Sequence, residues 1–439
     1  MIEEKILKKI RFRIFSLLIL FLLSCSKNGN LNLDVKIERI FPVFYDSVEL
    51  AVLDESGKIF YVSELQPYRS VELKNYPEKM RVLLRAKKDN SFIAEGVSPI
   101  FSVKKNNSVS VLVIPKKSVL FPLFRPGIRT ETWVSLVEME NNLFVFTEFG
   151  EIFKLDYLTW KVDRVGSFTP RRNFLLFVKS GRIFIAGGQN SQGKVNIVEF
   201  FDPVSGTFNF YPLNISRSGA NAIFWGENVL IAGGEDKGYC EVLTDYENKP
   251  FISFPCGITL NSHTVILDFS EGLAKILVYY PEEGEYEILY IIREGNKFKV
   301  SYREKILGIK RKEGVVVKVG QKVFAFGGYS DDRIEIADCE SFDIDRERFE
   351  IGGKMIEPRF NFSAFEVFGN VIVVGGKKMN NLPVFKVELM RDCFFSDSGI
   401  ELSFPPKFSG CAFPIFNSYV VMICEGSVPE IFPLISLFQ

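Results

Sequence analysis

The chain has 439 residues, of which 47% are hydrophobic and 44 are phenylalanine, enough apolar surface for a large core and for more than one domain. Its 54 lysines and arginines balance 54 aspartates and glutamates, so composition gives no support for nucleic-acid binding. The sequence contains one histidine, which excludes metal sites that need two or more histidine ligands.

The N-terminal segment, residues 1–24, predicts a signal peptide. Basic residues up to Arg13 precede the apolar run Ile14–Leu23, which is too short to span a bilayer. The ending Leu22-Leu23-Ser24-Cys25 resembles the lipobox of bacterial lipoproteins. This resemblance implies cleavage before Cys25, acylation of its thiol and anchoring in membrane lipid of the bacterial cell envelope, at the outer membrane if the cell is Gram-negative. An ordinary secretory signal or membrane anchor is the alternative.

The next region predicts a small all-β domain. Residues 25–34 comprise the lipidated cysteine and a polar tether, and residues 35–117 contain short alternating strands separated by polar turns such as Asp54–Gly57. The strand rhythm is similar to that of immunoglobulin-like or prealbumin-like β-sandwiches. A spacer between the lipid and the rest of the chain is the simplest role for such a domain.

The remaining residues, 118–439, contain a repeat. Each well-formed copy has an arginine, an apolar run, a tight turn, a second run and then Gly-Gly, with the first glycine sixteen residues after the arginine. The arginine–glycine pairs are Arg171 and Gly187, Arg217 and Gly233, Arg311 and Gly327, and Arg359 and Gly375. The period of about 47 residues is typical of propeller blades. Runs such as Arg182–Ala186 and Val195–Phe201 are β-branched or aromatic, which predicts four strands per copy.

These features resemble the kelch repeat, in which an inner strand opens near arginine and a second strand ends in Gly-Gly, followed by a Glu-aromatic-Asp stretch and a late aromatic residue such as Phe208. With three degenerate copies included, the chain predicts an all-β kelch-type propeller of seven blades, or of six if a weak copy is not a blade. The blade positions lie near Thr147, Gly187, Gly233, Tyr280, Gly327, Gly375 and Ile423. The apolar segment Ser118–Phe124 is predicted to complete the last blade and close the ring.

A basic residue opens the inner strand in five of the seven blades: Arg171, Arg217, Arg311, Arg359 and Lys407. One hypothesis is that these side chains form a cationic rim around one mouth of the channel and bind an anionic ligand. The alternative, which is favoured, is that each arginine pairs with a carboxylate or carbonyl and holds its repeat together.

Candidate chemistry is sparse. The single histidine, His263, excludes copper oxidation of the galactose oxidase type and is expected to be packed or to face the channel. The sequence has no sialidase Asp-box motif and no metal-binding cluster, and it implies no cofactor. We therefore expect a binding protein that recognises a protein or glycan, not an enzyme. Its candidate loops follow the glycine pairs, at Gln189–Lys194, Glu235–Gly238, Ser330–Arg333 and Lys377–Leu382. The alternative is a sugar-processing propeller enzyme of the sialic-acid mutarotase type.

Six cysteines remain in the exported chain, an even number that permits disulfides. Cys411 and Cys424 fall opposite each other across the predicted turn at Asn417-Ser418. Cys240 and Cys256 are a second possible pair.

Overall fold

A computed structural model describes residues 31–39, 45–55, 57–65, 71–74, 76–89, 91–103, 106–115, 134–139, 142–156, 161–235, 237–244, 250–260, 262–403, 412–415, 419–422 and 430–434. The chain divides into two compact units, residues 1–116 with 433–439 and residues 117–432. Within these described ranges the regular elements are all β-strands, which confirms the predicted fold class. No helix in the described part of the chain is long and apolar enough to cross a membrane.

Eight strands lie in the described part of the first unit: β1 (Leu31–Arg39), β2 (Ser47–Asp54), β3 (Ile59–Leu65), β4 (Val71–Leu73), β5 (Lys79–Lys88), β6 (Ser91–Val97), β7 (Phe101–Ser102) and β8 (Asn106–Pro115). They are hydrogen-bonded in the continuous order β3-β2-β5-β6-β8-β1-β4, and β7 pairs with β5. Strands from both ends of this order contribute to one apolar core, which contains Leu50 of β2 and Leu73 of β4. A division into the two facing sheets of a sandwich stays a prediction.

The first unit begins earlier than the sequence indicates. Strand β1 starts at Leu31, inside the segment expected to be a tether, and pairs in parallel with β8. Leu31 and Leu33 are completely buried in the core. Burying a leucine contributes about 1.5–3 kcal/mol, which is a sufficient reason for these residues to join the sheet.

The second unit is a seven-bladed β-propeller. Blade 1 consists of β9 (Val134–Met139), β10 (Asn142–Thr147), β11 (Glu151–Leu155) and β12 (Val162–Ser167). Blade 2 consists of β13 (Leu175–Lys179), β14 (Arg182–Ala186), β15 (Gln189–Asn190), β16 (Gly193–Asp202) and β17 (Thr207–Arg217). Blade 3 consists of β18 (Asn221–Trp225), β19 (Asn228–Ala232), β20 (Tyr239–Leu243) and β21 (Phe251–Pro255). Blade 4 consists of β22 (His263–Phe269), β23 (Leu273–Tyr280), β24 (Glu285–Glu294) and β25 (Lys297–Leu307). Blade 5 consists of β26 (Val315–Val319), β27 (Lys322–Phe326), β28 (Asp338–Asp343) and β29 (Arg348–Lys354). Blade 6 consists of β30 (Ser363–Val367), β31 (Asn370–Val374), β32 (Lys386–Arg391) and β33 (Phe394–Glu401). Blade 7 consists of β34 (Ala412–Ile415), β35 (Tyr419–Met422) and β36 (Glu430–Pro433).

The first strands of consecutive blades pack against one another, as in β9 with β13, β13 with β18, and β26 with β30. The first strand of each blade is therefore innermost, as the repeat predicts. Blade 7 has three strands within the described residues. The segment Ser118–Phe124, predicted to be its fourth strand, lies outside those residues, so closure by this segment stays a prediction.

The second strand of each blade packs against both neighbouring blades because its side chains alternate between two faces. In β19, Val229 and Ile231 join a core cluster shared with blade 2, whereas Leu230 and Ala232 join one shared with blade 4. All four side chains are completely buried. A run of apolar residues with no polar position is therefore the signature of a strand buried on both sides.

Candidate functional site

The four repeat arginines are interior side chains, each 0–2% exposed. Each donates to the carbonyl oxygen of the first glycine of its own Gly-Gly pair and to a glutamate of its own third strand. In blade 3, Arg217 Nη1 lies 2.8 Å from Gly233 O, and Arg217 Nη2 lies 2.8 Å from Glu241 Oε2. In blade 5, Arg311 Nη2 lies 2.7 Å from Glu340 Oε2. We refer to this arrangement as the Arg–Glu unit; its other members are Arg171 with Glu199 and Arg359 with Glu388.

The glutamates of the Arg–Glu units also hold the connection that leads into each blade. Glu241 accepts from Asn214 N at 2.7 Å, and Glu340 accepts from Ile309 N at 2.7 Å. Burial raises the pKa of Glu241, and the charge of Arg217 opposes that shift. Burial likewise lowers the pKa of Arg359, against the opposing effect of Glu388. Each charge is thus held in the interior by its partner.

The cationic-rim hypothesis therefore does not hold for these four arginines. Their guanidinium groups are bonded within the blades and have almost no surface that could contact a ligand. The geometry matches the alternative, in which each arginine holds its repeat together. The fifth member of the proposed rim, Lys407, lies outside the described residues.

Blade 4 departs from the repeat. The strand register places Thr259 at the arginine position and Tyr280-Pro281 at the Gly-Gly position. The third-strand glutamate is still present as Glu287, and Arg303 of the outermost strand β25 takes over as its partner at 3.1 Å. Tyr280 Oη lies 3.3 Å from Glu287 Oε2 as well. The buried carboxylate is thus neutralised from the opposite side of the blade, and the inner end of blade 4 is built from other residues.

A pocket opens at this altered blade, at the end of the propeller where the first strands begin. Its volume is about 380 Å³. Blades 3, 4 and 5 all contribute, and we call it the blade 3–5 pocket. It is lined by Gly219, Asn221, Ser262, His263, Pro281, Glu282, Lys312, Glu313 and Tyr329.

His263 supplies an imidazole to this pocket. The residue opens strand β22, is half-buried, and has its ring near that of Tyr279, with centroids 6.3 Å apart. Desolvation lowers the pKa of His263. The ring is therefore neutral near pH 7, with one nitrogen able to donate and the other able to accept a hydrogen bond.

Two carboxylates and one lysine line the same pocket as the imidazole: Glu282, Glu313 and Lys312. Lys312 pairs with Asp331 at 3.2 Å, and Lys310 pairs with the same aspartate at 2.6 Å. Glu282 lies close enough to Lys310 to contribute to the raised pKa of that lysine. Because Lys312 is already paired, the pocket does not present an uncompensated positive charge, in contrast to the rim that the sequence suggested.

The wall of the pocket is a network of hydrogen bonds. Asn221 Nδ2 donates to Ser262 O at 2.9 Å, and Ser262 Oγ donates to Thr259 O at 2.9 Å. Tyr329 is held by backbone bonds to Lys312 in both directions and by an edge contact with Phe360, with ring centroids 5.0 Å apart. Polar groups are thus fixed on rigid elements, as a specific site requires.

None of the four loops singled out from the sequence lines the pocket. One of them, Ser330–Arg333, directly follows a residue that does, Tyr329. Other loops satisfy their own backbone: Glu235 is 3% exposed and accepts from Lys237 N and Tyr239 N, at 2.5 Å each. Sequence reasoning missed Glu282, Lys312 and Glu313. For Glu282 the available signal was the loss of arginine and Gly-Gly from its copy of the repeat; Lys312 and Glu313 lie in blade 5, which keeps both.

The described residues contain two disulfides. Cys240 and Cys256 are joined within blade 3, with Cα atoms 5.6 Å apart. Cys339 of blade 5 is joined to Cys393 of blade 6, with Cα atoms 5.7 Å apart, a pair that the sequence did not suggest. Cys25, Cys411 and Cys424 lie outside the described residues. Within those residues no group of three or more His, Cys, Asp or Glu side chains could hold a metal ion.

Comparison with models of known protein families found no match. Comparison with curated proteins found none either. Among solved structures, one titled "Structure of YjhT" is similar at 13% identity, with 71% of this chain and 96% of that chain covered and a TM-score of 0.43.

Proposed function

We propose that the propeller binds a glycan, with a sugar residue seated in the blade 3–5 pocket. One observation carries this proposal: the pocket forms where the structural repeat is broken. Blade 4 has Thr259 at the arginine position and Tyr280-Pro281 at the Gly-Gly position, and the neighbouring residues His263 and Glu282 line the pocket. A site of about 380 Å³ with donors and acceptors on a rigid frame suits a small polar molecule.

The side chains in the pocket suit a hydroxyl-rich ligand. Carboxylates such as Glu313 can accept two hydrogen bonds each, and the amide of Asn221 and the neutral imidazole of His263 can both donate and accept. The ring of Tyr329 offers an apolar surface beside these groups. A sugar presents this combination of hydroxyl edges and apolar ring faces.

The test is calorimetric titration of residues 26–439 with a panel of free sugars, comprising neutral hexoses, N-acetylhexosamines, hexuronic acids and N-acetylneuraminic acid. We expect at least one member to bind wild-type protein and to lose at least tenfold in affinity with Asn221→Ala. Arg172→Ala, an exposed substitution outside the pocket, serves as the control and should bind normally. Equal binding by all three proteins would place the sugar site elsewhere, and no binding to any sugar would refute the proposal.

A second candidate is sugar mutarotation at the same place. Anomer exchange needs a base at the anomeric hydroxyl and an acid at the ring oxygen. The neutral imidazole of His263 and the carboxylates in the pocket are groups of that kind. NMR exchange spectroscopy on a neutral hexose and on N-acetylneuraminic acid would detect faster anomer exchange of either sugar with wild-type protein and its loss with His263→Gln. An exchange rate equal to that of buffer would leave binding alone.

We further propose that the protein is exported and anchored by lipid through Cys25. The lipobox-like ending of residues 22–25 supports this, and the two disulfides are compatible with an oxidising compartment. Metabolic labelling with a palmitate analogue should label wild-type protein and not Cys25→Ser. Equal labelling of both would exclude this anchor.

A further inference from the structure

Glu313 has a backbone conformation that glutamate seldom adopts. Its φ is 53°, in the left-handed region. The residue lies two positions after the repeat arginine Arg311. The equivalent residues in blades 2, 3 and 6 are Asn173, Gly219 and Asn361, with φ of 53°, 72° and 58°. Asparagine and glycine tolerate this region best, so blade 5 alone among these four blades carries a residue unsuited to it.

The repeat requires the left-handed conformation. It lets the carbonyl oxygen at this position accept a hydrogen bond from the equivalent backbone N–H of the next blade. Gly219 N donates to Asn173 O at 2.9 Å, and Asn361 N donates to Glu313 O at 3.2 Å. This backbone bond does not depend on the side chain. Asparagine or glycine at residue 313 would make the same bond with less strain.

The side chain of Glu313 has no structural role that would explain its presence. It is exposed and lines the blade 3–5 pocket. Among the hydrogen bonds and ion pairs of the described residues, none involves its carboxylate. The neighbouring cation, Lys312, pairs with Asp331 at 3.2 Å instead. No contact of the Glu313 side chain within the described residues therefore compensates for the backbone strain. Residues kept in strained conformations cluster at functional sites.

We propose that Glu313 is the specificity-determining residue of the pocket: its carboxylate accepts hydrogen bonds from adjacent hydroxyls of a neutral sugar. The proposal rests on the sugar-binding function above and narrows the ligand class. Glu282 is a second carboxylate in the same pocket, and Lys312 is already paired. An acidic sugar would bring a third negative charge to a site with no unpaired cation, whereas neutral hydroxyls supply the donors that a carboxylate lacks.

The test separates strain from chemistry with three variants. Glu313→Asn relieves the strain and removes the carboxylate from its position, and it should raise Tm by roughly 2 °C. Glu313→Gln keeps the strain and the shape but loses the charge, and its Tm should equal that of wild type. Asn173→Glu is the matched control because it installs glutamate at the equivalent position of blade 2, outside the pocket. It should lower Tm by a similar amount.

Binding is measured by calorimetry with methyl glycosides of neutral hexoses and with N-acetylneuraminic acid. We expect wild type and Asn173→Glu to bind a neutral glycoside equally. Both Glu313 variants should bind it at least tenfold more weakly. A preference of wild type for N-acetylneuraminic acid, or undiminished neutral-sugar binding by both Glu313 variants, would overturn the role of Glu313 while leaving the sugar site intact. Failure of wild type to bind any of these probes would overturn the proposed function and this role together.

Discussion

At the residue scale, the arginines and glutamates of the repeat form buried pairs, and removing either partner is expected to destabilise the fold. Arg217 and Glu241 are 1% and 0% exposed in their side chains. Removing one partner leaves an uncompensated charge in the interior, which typically costs about 3–5 kcal/mol. The pair is therefore a strong requirement of the fold even if its net contribution to stability is small.

We expect Arg217→Ala to lower the free energy of unfolding by about 3–5 kcal/mol, measured by urea denaturation. Arg172→Ala removes an exposed arginine and should change the free energy of unfolding by less than about 0.5 kcal/mol. Equal effects from the two substitutions would show that burial of the charge does not matter.

The single histidine gives a prediction about pH. Desolvation lowers the pKa of His263 in the folded state, so the unfolded chain takes up a proton more readily as pH falls. Folding is thus favoured above the unfolded pKa of about 6.5 and is progressively weakened as pH falls below that value. Charged groups that share the pocket with the imidazole are Glu282, Lys312 and Glu313.

Wild-type protein should accordingly lose more stability than His263→Gln between pH 7.5 and pH 5.5. The difference in stability is measured from the urea midpoints of the two proteins at both pH values. Comparing wild type with His263→Gln removes the contribution of the other titratable groups. A larger loss in the variant would reverse the direction assigned to the pKa of His263.

At the element scale, hairpins were the most predictable part of the molecule. The predicted second strand Arg182–Ala186 coincides with β14. Local patterns suffice there because strand, turn and glycine pair are adjacent in sequence. The glycine pair itself is explained by close approach, since a Cβ at Gly328 would lie 2.5 Å from Lys312 O.

Contacts between residues that are distant in sequence could not be read from the sequence in the same way. Cys339 and Cys393 are 54 residues apart, and nothing local marks them as partners. Arg303 replaces a repeat arginine from the far side of blade 4, which breaks the sixteen-residue rule. Partnerships of this kind follow from the spatial order of strands, which only the folded ring defines.

One such contact can be tested at Gly352 of β29. A Cβ at this position would lie 2.5 Å from Cys393 Cβ in the β32–β33 turn of the next blade. We expect Gly352→Ala to lower the free energy of unfolding by about 1–3 kcal/mol because both groups sit on backbone that cannot move away easily.

Gly272→Ala is the control for this substitution. The nearest atom to a Cβ at Gly272 is Arg293 O, 3.9 Å away, so the change should have an effect of less than about 0.5 kcal/mol. Thermal unfolding of both variants measures the difference, and an unchanged Gly352→Ala would mean that the two blades are not in close contact there.

At the scale of the whole molecule, the near-constant repeat predicted the propeller and its number of blades. Each blade buries one set of side chains against each neighbour, as Val229 and Leu230 do on opposite faces of β19. The pocket was not predicted, because a site formed by departures from a repeat leaves no recurring pattern. Glu313 became noticeable only when its φ could be compared with those of its equivalents.

The two disulfides should differ in how much they stabilise the propeller against unfolding. In the chain-entropy model, the link between blades 5 and 6 closes 54 residues and contributes about 4 kcal/mol, whereas the link within blade 3 closes 16 and contributes about 3 kcal/mol. Cys339→Ser with Cys393→Ser should therefore lower Tm more than Cys240→Ser with Cys256→Ser.

Calorimetry of both double variants, with and without a reductant, measures these effects. The reductant should lower the Tm of wild type and of each double variant. A wild-type Tm that is insensitive to the reductant would argue against both links.

In blade 4 the partner of the third-strand glutamate is Arg303 instead of a repeat arginine, and this shows how far one blade can depart from the repeat. A buried carboxylate requires a compensating positive charge, but that charge can come from either side of the blade. When another strand supplies the charge, the repeat arginine position no longer has to do so, and a different residue can occupy it. A blade of this propeller can therefore lack both the arginine and the Gly-Gly pair and still keep its four-stranded fold, as blade 4 does.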